Sequence, residues 1–223
     1  MSLRRRLCLG INRAYRNADA WTLLGNIWAD SLVPLRGVEA YRRAIAINPR
    51  QANAMGYLSL LYLWNGNTDS AMVWADSGTK IDPGQIFARQ ARGFAHRARH
   101  EWDLAAPEYQ AVVNIGTGSD RTEGWAGLAE IAWQRGDRHA ADTLISHGVA
   151  AADTLHPTLH DAVYLAWGFA ATGRRDTGIR LLQRFDPRGD SHFQQHLAGD
   201  PVLDAFRSDP QFLALLRQRP AKS

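Results

Sequence analysis

A unit of about 34 residues recurs along this 223-residue chain, and this repetition constrains the fold more than any other feature. The first copy carries Trp21 and Trp28, with Leu24-Gly25 between them. One period later, the same positions hold Met55, Leu58, Ser59 and Tyr62. Further copies begin near residues 86, 122 and 159, and the fourth is displaced by two extra residues in the loop at 116–119. A period of this length indicates a repeat architecture in which each copy packs only on its neighbours.

Small residues recur at two fixed positions in each copy and predict a pair of closely packed helices. Those expected on the first helix of each pair are Gly25, Ser59, Gly93 and Ala129. Those expected on the second helix are Gly37, Ala71, Ala105, Ala141 and Gly178. Bulky residues fill the space between copies, namely Trp21, Tyr41, Tyr109 and Trp125. No segment alternates with a period of two, so strands are not predicted.

Helix-end signals separate the predicted helices. Pro49 and Pro83 end the second helices of the first two copies, while Asn67-Thr68-Asp69 and Gly173 fall between helices. Asp120-x-x-Glu123 has the spacing of a capping box, which predicts a helix start near residue 120.

The order of aromatic, Leu-Gly, aromatic, small, bulky and proline positions resembles the tetratricopeptide repeat over residues 18–187. The resemblance implies an all-α fold, a right-handed α-solenoid of about five helical hairpins. The copies span 18–51, 52–85, 86–119, 122–155 and 159–187. The third copy departs from the pattern, with Arg92 at the leucine position and Thr117 in place of the proline. Residues 1–17 are expected to form a leading helix, with Leu7, Gly10 and Ile11 in the places of a preceding second helix.

Residues 188–223 are expected to form a helical cap and tail. Within them, Asp200-Pro201 and Asp209-Pro210 each predict a short helix, because aspartate caps the helix and proline fits its first turn. Phe206, Phe212 and Leu216 would close the apolar end of the last hairpin. The segment resembles the one that follows tetratricopeptide arrays in bacterial multidomain signalling proteins, notably serine/threonine kinases, adenylate cyclases and winged-helix regulators.

The sequence offers no convincing catalytic constellation. Histidines four residues apart could place two zinc ligands on one helix face, and the pairs are His96 and His100, His156 and His160, and His192 and His196. No metalloprotease glutamate lies between them, Pro157 interrupts one pair, and a third ligand is not evident. A phosphate loop, a kinase catalytic loop and a nucleophile in a strand-turn-helix context are also missing. We therefore predict no enzymatic activity, no metal, no cofactor and no small-molecule substrate.

Composition limits the classes of partner and location. The chain is 45% hydrophobic and 22% charged, and its formal charge of +4 is a mild basic excess. Nucleic-acid binding would require a dense basic stripe with interleaved aromatic residues. The nearest candidates, Arg4 to Arg6 and the 89–99 segment, do not form such a stripe. Cys8 is the sole cysteine, which excludes an intramolecular disulfide. No apolar run is long enough for a signal peptide or a membrane span, so a cytoplasmic location is expected.

In the tetratricopeptide architecture, the first helix of each hairpin lines the concave surface. The resemblance therefore implies a partner-binding set, made up of Asn26, Leu60, Trp64, Phe87, Gln90, Phe94, Arg97, Glu130, Trp133 and Trp167. Large apolar side chains at these positions are typical of a groove that holds a protein or peptide segment. The alternative is that Trp64, Phe94 and Trp133 only pack within a tight superhelix.

Two functional hypotheses follow from the sequence. The first is a protein-interaction scaffold that binds its partner in the concave groove. The second is the regulatory region of a bacterial signalling enzyme or transcription regulator whose effector domain lies on another segment or chain. The sequence sets neither the partner nor the oligomeric state.

Overall fold

The computed structural model describes residues 17–30, 34–152, 158–184, 197–198 and 200–217, and these contain helices but no strand. The helices of the first two copies are α1 Ala18–Asp30, α2 Pro34–Ile47, α3 Ala52–Trp64 and α4 Thr68–Ile81. Those of the third and fourth are α5 Ile86–Ala98, α6 Trp102–Ile115, α7 Ser119–Gln134 and α8 Arg138–Ala151. The remainder are α9 Leu159–Ala171, α10 Arg175–Arg184, a 3₁₀ helix Pro201–Phe206 and α11 Pro210–Arg217. The predicted leading helix at 1–17 and most of the segment at 188–199 lie outside the described residues.

The chain divides into two compact units, Met1–Ala91 and Arg92–Ser223, with the boundary inside α5. In the first unit, α1 packs on α2 and α3, and α3 packs on α4. In the second unit, α7 packs on α6, α8 and α9, and α9 packs on α10 and the 3₁₀ helix. These helices therefore pack mainly against neighbours in sequence, as in a repeat architecture.

In the first hairpin, Gly25 of α1 allows the Tyr41 ring of α2 to pack directly on the backbone of α1. Tyr41 is fully buried, and a methyl group added at Gly25 would lie 2.4 Å from its ring. The Tyr41 ring also stacks on Tyr57 of α3, with ring centroids 5.6 Å apart. Leu58 and Leu61 complete this core. The small residue of the first helix thus makes room for the bulky residue of the second, as the sequence pattern predicts.

The second unit repeats the arrangement around Tyr109. Methyl groups added at Gly93 and Gly127 would lie 2.9 Å and 2.6 Å from the Tyr109 ring, so both glycines are required for it to fit. At the far end, Phe206 and Phe212 are fully buried and stack with centroids 5.7 Å apart. They belong to the same apolar core as Ile179 and Leu182 of the last hairpin.

The turns inside the second to fifth hairpins share one backbone conformation. Gly66, Gly136 and Gly173 occupy the same repeat position and all have positive φ, a conformation that costs glycine little. In the third hairpin this position is held by His100, whose φ is 57°. His100 therefore lies in the turn after α5 and not on the helix that carries His96, so these two histidines do not form a helical metal-binding pair.

The capping box predicted at Asp120 and Glu123 is wrong. The N-cap of α7 is Gly118, whose φ of 50° starts the helix before residue 120. Asp120 is already helical, and Glu123 is buried inside the unit. A capping box forms instead at α9, where the Thr158 hydroxyl accepts from the Asp161 backbone N–H at 3.1 Å and the Thr158 N–H donates to the Asp161 carboxylate at 3.0 Å.

Candidate partner-binding surfaces

In the first unit, the predicted partner-binding residues differ widely in accessibility. Leu60 and Gln90 are buried, while Trp64, at the end of α3, is 36% exposed. Phe87 is half-buried and stacks on Tyr57, with ring centroids 4.1 Å apart. Asn26 accepts a hydrogen bond from the Tyr41 hydroxyl at 2.8 Å. Within this set, Trp64 therefore offers the largest accessible aromatic surface.

A polar ladder runs along the same helices and recurs with the repeat. The Gln51 amide donates to Asp19 on α1 at 2.7 Å, and one period later the Gln85 amide donates to Asn53 on α3 at 2.9 Å. Asp19 and Asn53 remain exposed. Both glutamines stand at the end of a copy, where sequence reasoning assigned them no role. These two hydrogen bonds join α1 and α3 to the residue that precedes the next first helix, and they leave polar groups at the surface.

In the second unit, four predicted residues form one cluster. The Arg97 guanidinium donates to both oxygens of Glu130, at 2.5 and 3.2 Å, and the Trp167 indole N–H donates to the same carboxylate at 2.9 Å. The Arg97 guanidinium also lies 4.9 Å from the centre of the Trp167 ring. Phe94 packs against Trp167 with centroids 5.7 Å apart. The four side chains therefore lie together and contact one another.

Arg97 is charged mainly through its partner in the cluster. Burial lowers the pKa of Arg97, but the charge and hydrogen bonds of Glu130, together with smaller effects of Tyr109 and Asp200, outweigh burial, and the net shift is upward. The guanidinium therefore stays charged and is committed to Glu130. Trp167 is only 1% exposed, so its indole holds the carboxylate in place and offers no accessible surface.

Trp133 lies at the end of α7 and is half-buried. The Arg138 guanidinium lies 3.4 Å from the centre of its ring and donates to the Trp133 carbonyl at 3.2 Å. This cation–π pair covers one face of the indole. Trp133 corresponds to Leu63 two copies earlier, and Gln134 corresponds to Trp64.

Sequence reasoning missed the buried ionisable groups of the second unit. Arg92, which departs from the repeat pattern, pairs with the buried Glu108 on α6 at 2.7 Å. Glu123 is fully buried. Within the described part of the chain, its carboxylate oxygens make no hydrogen bond of ordinary geometry, although the Tyr164 hydroxyl lies near enough to lower its pKa. The Arg92 departure was visible in the sequence, whereas nothing there marked Glu123 as buried.

Within the described residues, no group of three or more His, Cys, Asp or Glu side chains could hold a metal ion. His96 is bound through Nδ1 to Glu101 at 2.7 Å. His156, His192 and His196 lie outside the described residues. A surface cavity of about 460 Å³ lies beside the third hairpin turn, lined by His100, Glu101, Trp102, Asp103, Leu104 and Arg135.

The helices of the described part of the chain are all too short or too polar to cross a membrane. No protein-family model matches the sequence. No curated protein matches it either.

Solved structures do match. A tetratricopeptide repeat protein from Parabacteroides merdae is 13% identical, with a TM-score of 0.58, and the match covers 91% of this chain and 70% of the other. The fold is that of tetratricopeptide repeat proteins. The pilF protein of Pseudomonas aeruginosa is 15% identical over 82% of each chain, with a TM-score of 0.56. YrrB, described as a TPR protein with an unusual peptide-binding site, is 13% identical with a TM-score of 0.54, and the match covers 93% of this chain and 95% of that one. The all-α repeat fold predicted from the sequence is confirmed.

Proposed function

We propose that this chain is a protein-interaction scaffold that binds a peptide segment of a partner on the surface formed by the first helices of its hairpins. The proposal depends mainly on the exposure of Trp64, whose side chain is 36% accessible to solvent. Other large apolar residues of α3, such as Leu58, Leu60 and Leu61, are buried. Tryptophan is the residue most often found to dominate binding energy at protein interfaces.

Polar residues at the opposite end of the first helices suit a peptide that extends away from Trp64. Asp19 and Asn53 lie in the first turns of α1 and α3, and Asn53 is about 16 Å along the helix axis from Trp64. Both keep exposed oxygen atoms that can accept hydrogen bonds from peptide N–H groups. An aromatic anchor with a few fixed polar groups is the usual arrangement for ligand recognition. The peptide-binding site named for YrrB supports this class of ligand by analogy of fold alone.

The predicted partner-binding set separates into two roles. Trp64 and Trp133 are proposed to contact the partner, together with Asn26, Phe87, Phe94 and Arg97 at their partly exposed edges. Leu60, Gln90, Glu130 and Trp167 are proposed to hold these residues in position from below, because their side chains are buried. We expect the peptide to bind in the concave groove of the tetratricopeptide architecture.

The decisive variant is Trp64→Ala in the full-length chain. Loss of a tryptophan anchor costs about 2 kcal/mol or more, so we expect the Kd of the partner to rise roughly thirtyfold. The immobilised chain is used to capture proteins from a lysate of its source organism, and quantitative mass spectrometry ranks them. The affinity of each reproducible partner is then measured by titration calorimetry with the purified protein.

Val73→Ala is the matched control, because Val73 is an apolar residue that is 62% exposed on the second helix α4. A partner that binds the groove keeps its affinity for this variant. Equal loss of affinity in both variants, or in neither while the circular dichroism spectrum is intact, would contradict the groove assignment.

A second candidate function is the regulatory region of a larger signalling protein. It is favoured by the Asp-Pro segment, because this segment resembles the one that follows tetratricopeptide arrays in bacterial signalling proteins. In the structure, Asp200 caps the 3₁₀ helix by accepting from the Val202 N–H at 3.0 Å. The test is the sequence that adjoins this one in its genome. A kinase, cyclase or winged-helix domain in the same or the neighbouring reading frame would support this role, and its absence would count against it.

A further inference from the structure

Charged residues are distributed unequally between the two kinds of helix in the first unit. The first helices α1 and α3 contain Asp19 and Asp30 and no lysine, arginine or histidine. The basic residues of the second helices α2 and α4 are Arg36, Arg42, Arg43 and Lys80. The chain as a whole carries a formal charge of +4, so the first helices are acidic within a basic protein. A surface that they form attracts cations and repels anions.

Asp19 places a carboxylate at the start of this surface. It lies in the first turn of α1, and its side chain is exposed. One of its oxygens accepts from the Gln51 amide at 2.7 Å, and Gln51 directly precedes α3. An ionised carboxylate has about four acceptor positions, so Asp19 can bind a further donor. The Gln51 contact fixes this carboxylate next to the first turn of α3.

The aromatic rings of Tyr57 and Phe87 lie one turn further along α3. Tyr57 follows Asn53 by four residues, and its ring stacks on Phe87 with centroids 4.1 Å apart. Phe87 packs so closely on α3 that a methyl group added at Gly56 would lie 2.9 Å from its Cβ atom. Both rings are half-buried. An aromatic face near a carboxylate favours a lysine or arginine side chain, because the ring attracts the cation and the carboxylate pairs with it.

The distance to Trp64 sets the spacing of a peptide that uses both features. Asn53, Tyr57 and Trp64 are separated by four and seven residues, so they lie on one face of α3. Along the helix axis, Tyr57 is about 10 Å and Asn53 about 16 Å from Trp64. An extended peptide covers about 3.3 Å per residue, so its residues at the two ends of this stretch are about three to five positions apart.

We propose that the partner segment is basic, with a lysine or arginine about three to five residues from the apolar residue that packs on Trp64. Its cation binds the Asp19 carboxylate near the Tyr57 and Phe87 rings. This inference rests on the proposed function, because it names the chemistry of the peptide held on the same helices. An acidic peptide or a nucleic acid is disfavoured, since the first helices of this unit offer it no cation.

Selection from a peptide library tests the proposal without knowledge of the partner. Random short peptides displayed on phage are bound to the immobilised full-length chain, and those that also bind Trp64→Ala are discarded. We expect the remaining sequences to be enriched in a large apolar residue with lysine or arginine at the proposed spacing. An enriched peptide is then synthesised with a fluorescent label, and its Kd is measured by fluorescence anisotropy.

Asp19→Asn removes the charge but keeps an oxygen that can accept from Gln51. We expect it to raise the Kd of the enriched peptide about tenfold, a typical loss for one charge-assisted hydrogen bond. Glu39→Gln is the matched control, because it removes the same charge from an exposed position on the second helix α2. It should change the Kd by less than about twofold, since salt screens a charge that makes no contact.

A change in the peptide gives a second measurement that does not depend on a protein variant. The enriched peptide with glutamine in place of its basic residue should lose about as much affinity as Asp19→Asn loses. It should also bind the wild type and Asp19→Asn equally, because the contact is already absent.

The outcomes separate this inference from the proposed function. Enriched peptides that need Trp64 but lack a basic residue, or that bind Asp19→Asn as tightly as the wild type, would overturn the inference and leave the scaffold proposal standing. An equal loss with Glu39→Gln and Asp19→Asn would attribute the effect to net charge, and the assigned contact would be wrong. If no enriched peptide depended on Trp64, the proposed function would fail, and this inference with it.

Discussion

At the scale of single residues, Glu123 is the most unusual feature of the described chain. Its side chain is fully buried in α7, and burial raises its pKa well above the ordinary value. The carboxylates of Asp120 and Asp200 raise it further, and the hydroxyl of Tyr164 partly offsets them. Burial likewise raises the pKa of Tyr164 and of Tyr109, so both phenols remain protonated near neutral pH.

The raised pKa of Glu123 predicts how the stability of the second unit depends on pH. The unfolded chain releases this proton near pH 4.3, while the folded chain retains it to higher pH. Folding must therefore take up a proton above that value, and the free energy of unfolding falls as the pH rises toward the folded pKa. Glu123→Gln removes this contribution, so we expect its melting temperature to exceed that of the wild type increasingly from pH 5 to pH 8.

Calorimetric scans across that pH range check the prediction, with a shift of about 2–4 °C for each kcal/mol gained. Glu39→Gln is the control, because Glu39 is exposed on α2 and should leave the profile unchanged. Parallel profiles for the wild type and Glu123→Gln would show that Glu123 binds the same number of protons in the folded and unfolded states, which would contradict the prediction.

At the scale of helices, the small residues set how closely the two helices of a hairpin, and neighbouring hairpins, can approach. Gly127 of α7 and Gly148 of α8 are both glycines within helices, but their surroundings differ. A methyl group at Gly127 would lie 2.6 Å from the Tyr109 ring, whereas one at Gly148 would lie 3.4 Å from Leu165 and Trp125, an ordinary contact. Helix propensity alone favours alanine at both positions by about 1 kcal/mol.

We therefore expect opposite effects from the same substitution. Gly127→Ala overpacks a fully buried ring and should lower the free energy of unfolding by about 1–3 kcal/mol. Gly148→Ala should leave it unchanged or raise it by up to about 1 kcal/mol. Urea unfolding monitored by circular dichroism measures both, and a loss of equal size in the two variants would contradict the role of the Tyr109 contact.

Helix positions were largely predictable because their signals are local. The predicted copies at 18–51, 52–85 and 86–119 each contain a complete helical pair. The error at α7 has a local cause as well, since Gly118 adopts a positive φ and starts the helix at Ser119, three residues before the predicted start of that copy. Sequence alone does not reveal which glycine in the Gly116-Thr117-Gly118 stretch adopts that conformation.

At the scale of the whole molecule, the stability of a repeat protein depends on how its ends are closed. The C-terminal end is closed by Phe206 and Phe212, and Phe206 packs so closely on α10 that a methyl group at Gly178 would lie 2.8 Å from its ring. The 3₁₀ helix and α11 are thus part of the core of the second unit.

Phe212→Ala should therefore cost the second unit about 3–5 kcal/mol, the usual range for a buried phenylalanine. We expect a lower melting temperature and stronger binding of an apolar dye at temperatures below the transition. Gln211→Ala is the control on the same helix, because Gln211 is exposed, and it should change the free energy of unfolding by less than about 0.5 kcal/mol. A small effect of Phe212→Ala would show that the last hairpin does not depend on the cap.

The partner-binding surface was only partly predictable. The repeat register predicts one face of the first helices as the binding surface, and Trp64 of α3 is exposed. It does not show that Arg97, Glu130 and Trp167 bind one another, because these residues are 33 and 37 positions apart and their contact depends on side-chain direction across helices. Their partner-binding role stays a prediction.

The sequence by itself determined the all-α repeat fold and the length of its period. It could do so because the pattern of small, bulky and helix-ending residues acts over distances of one hairpin. Only the tertiary structure decided which predicted partner-binding side chains are accessible and which are buried in contacts between copies. The burial of Glu123 and of Trp167 depends on neighbours more than 30 residues away, and no local pattern records those neighbours.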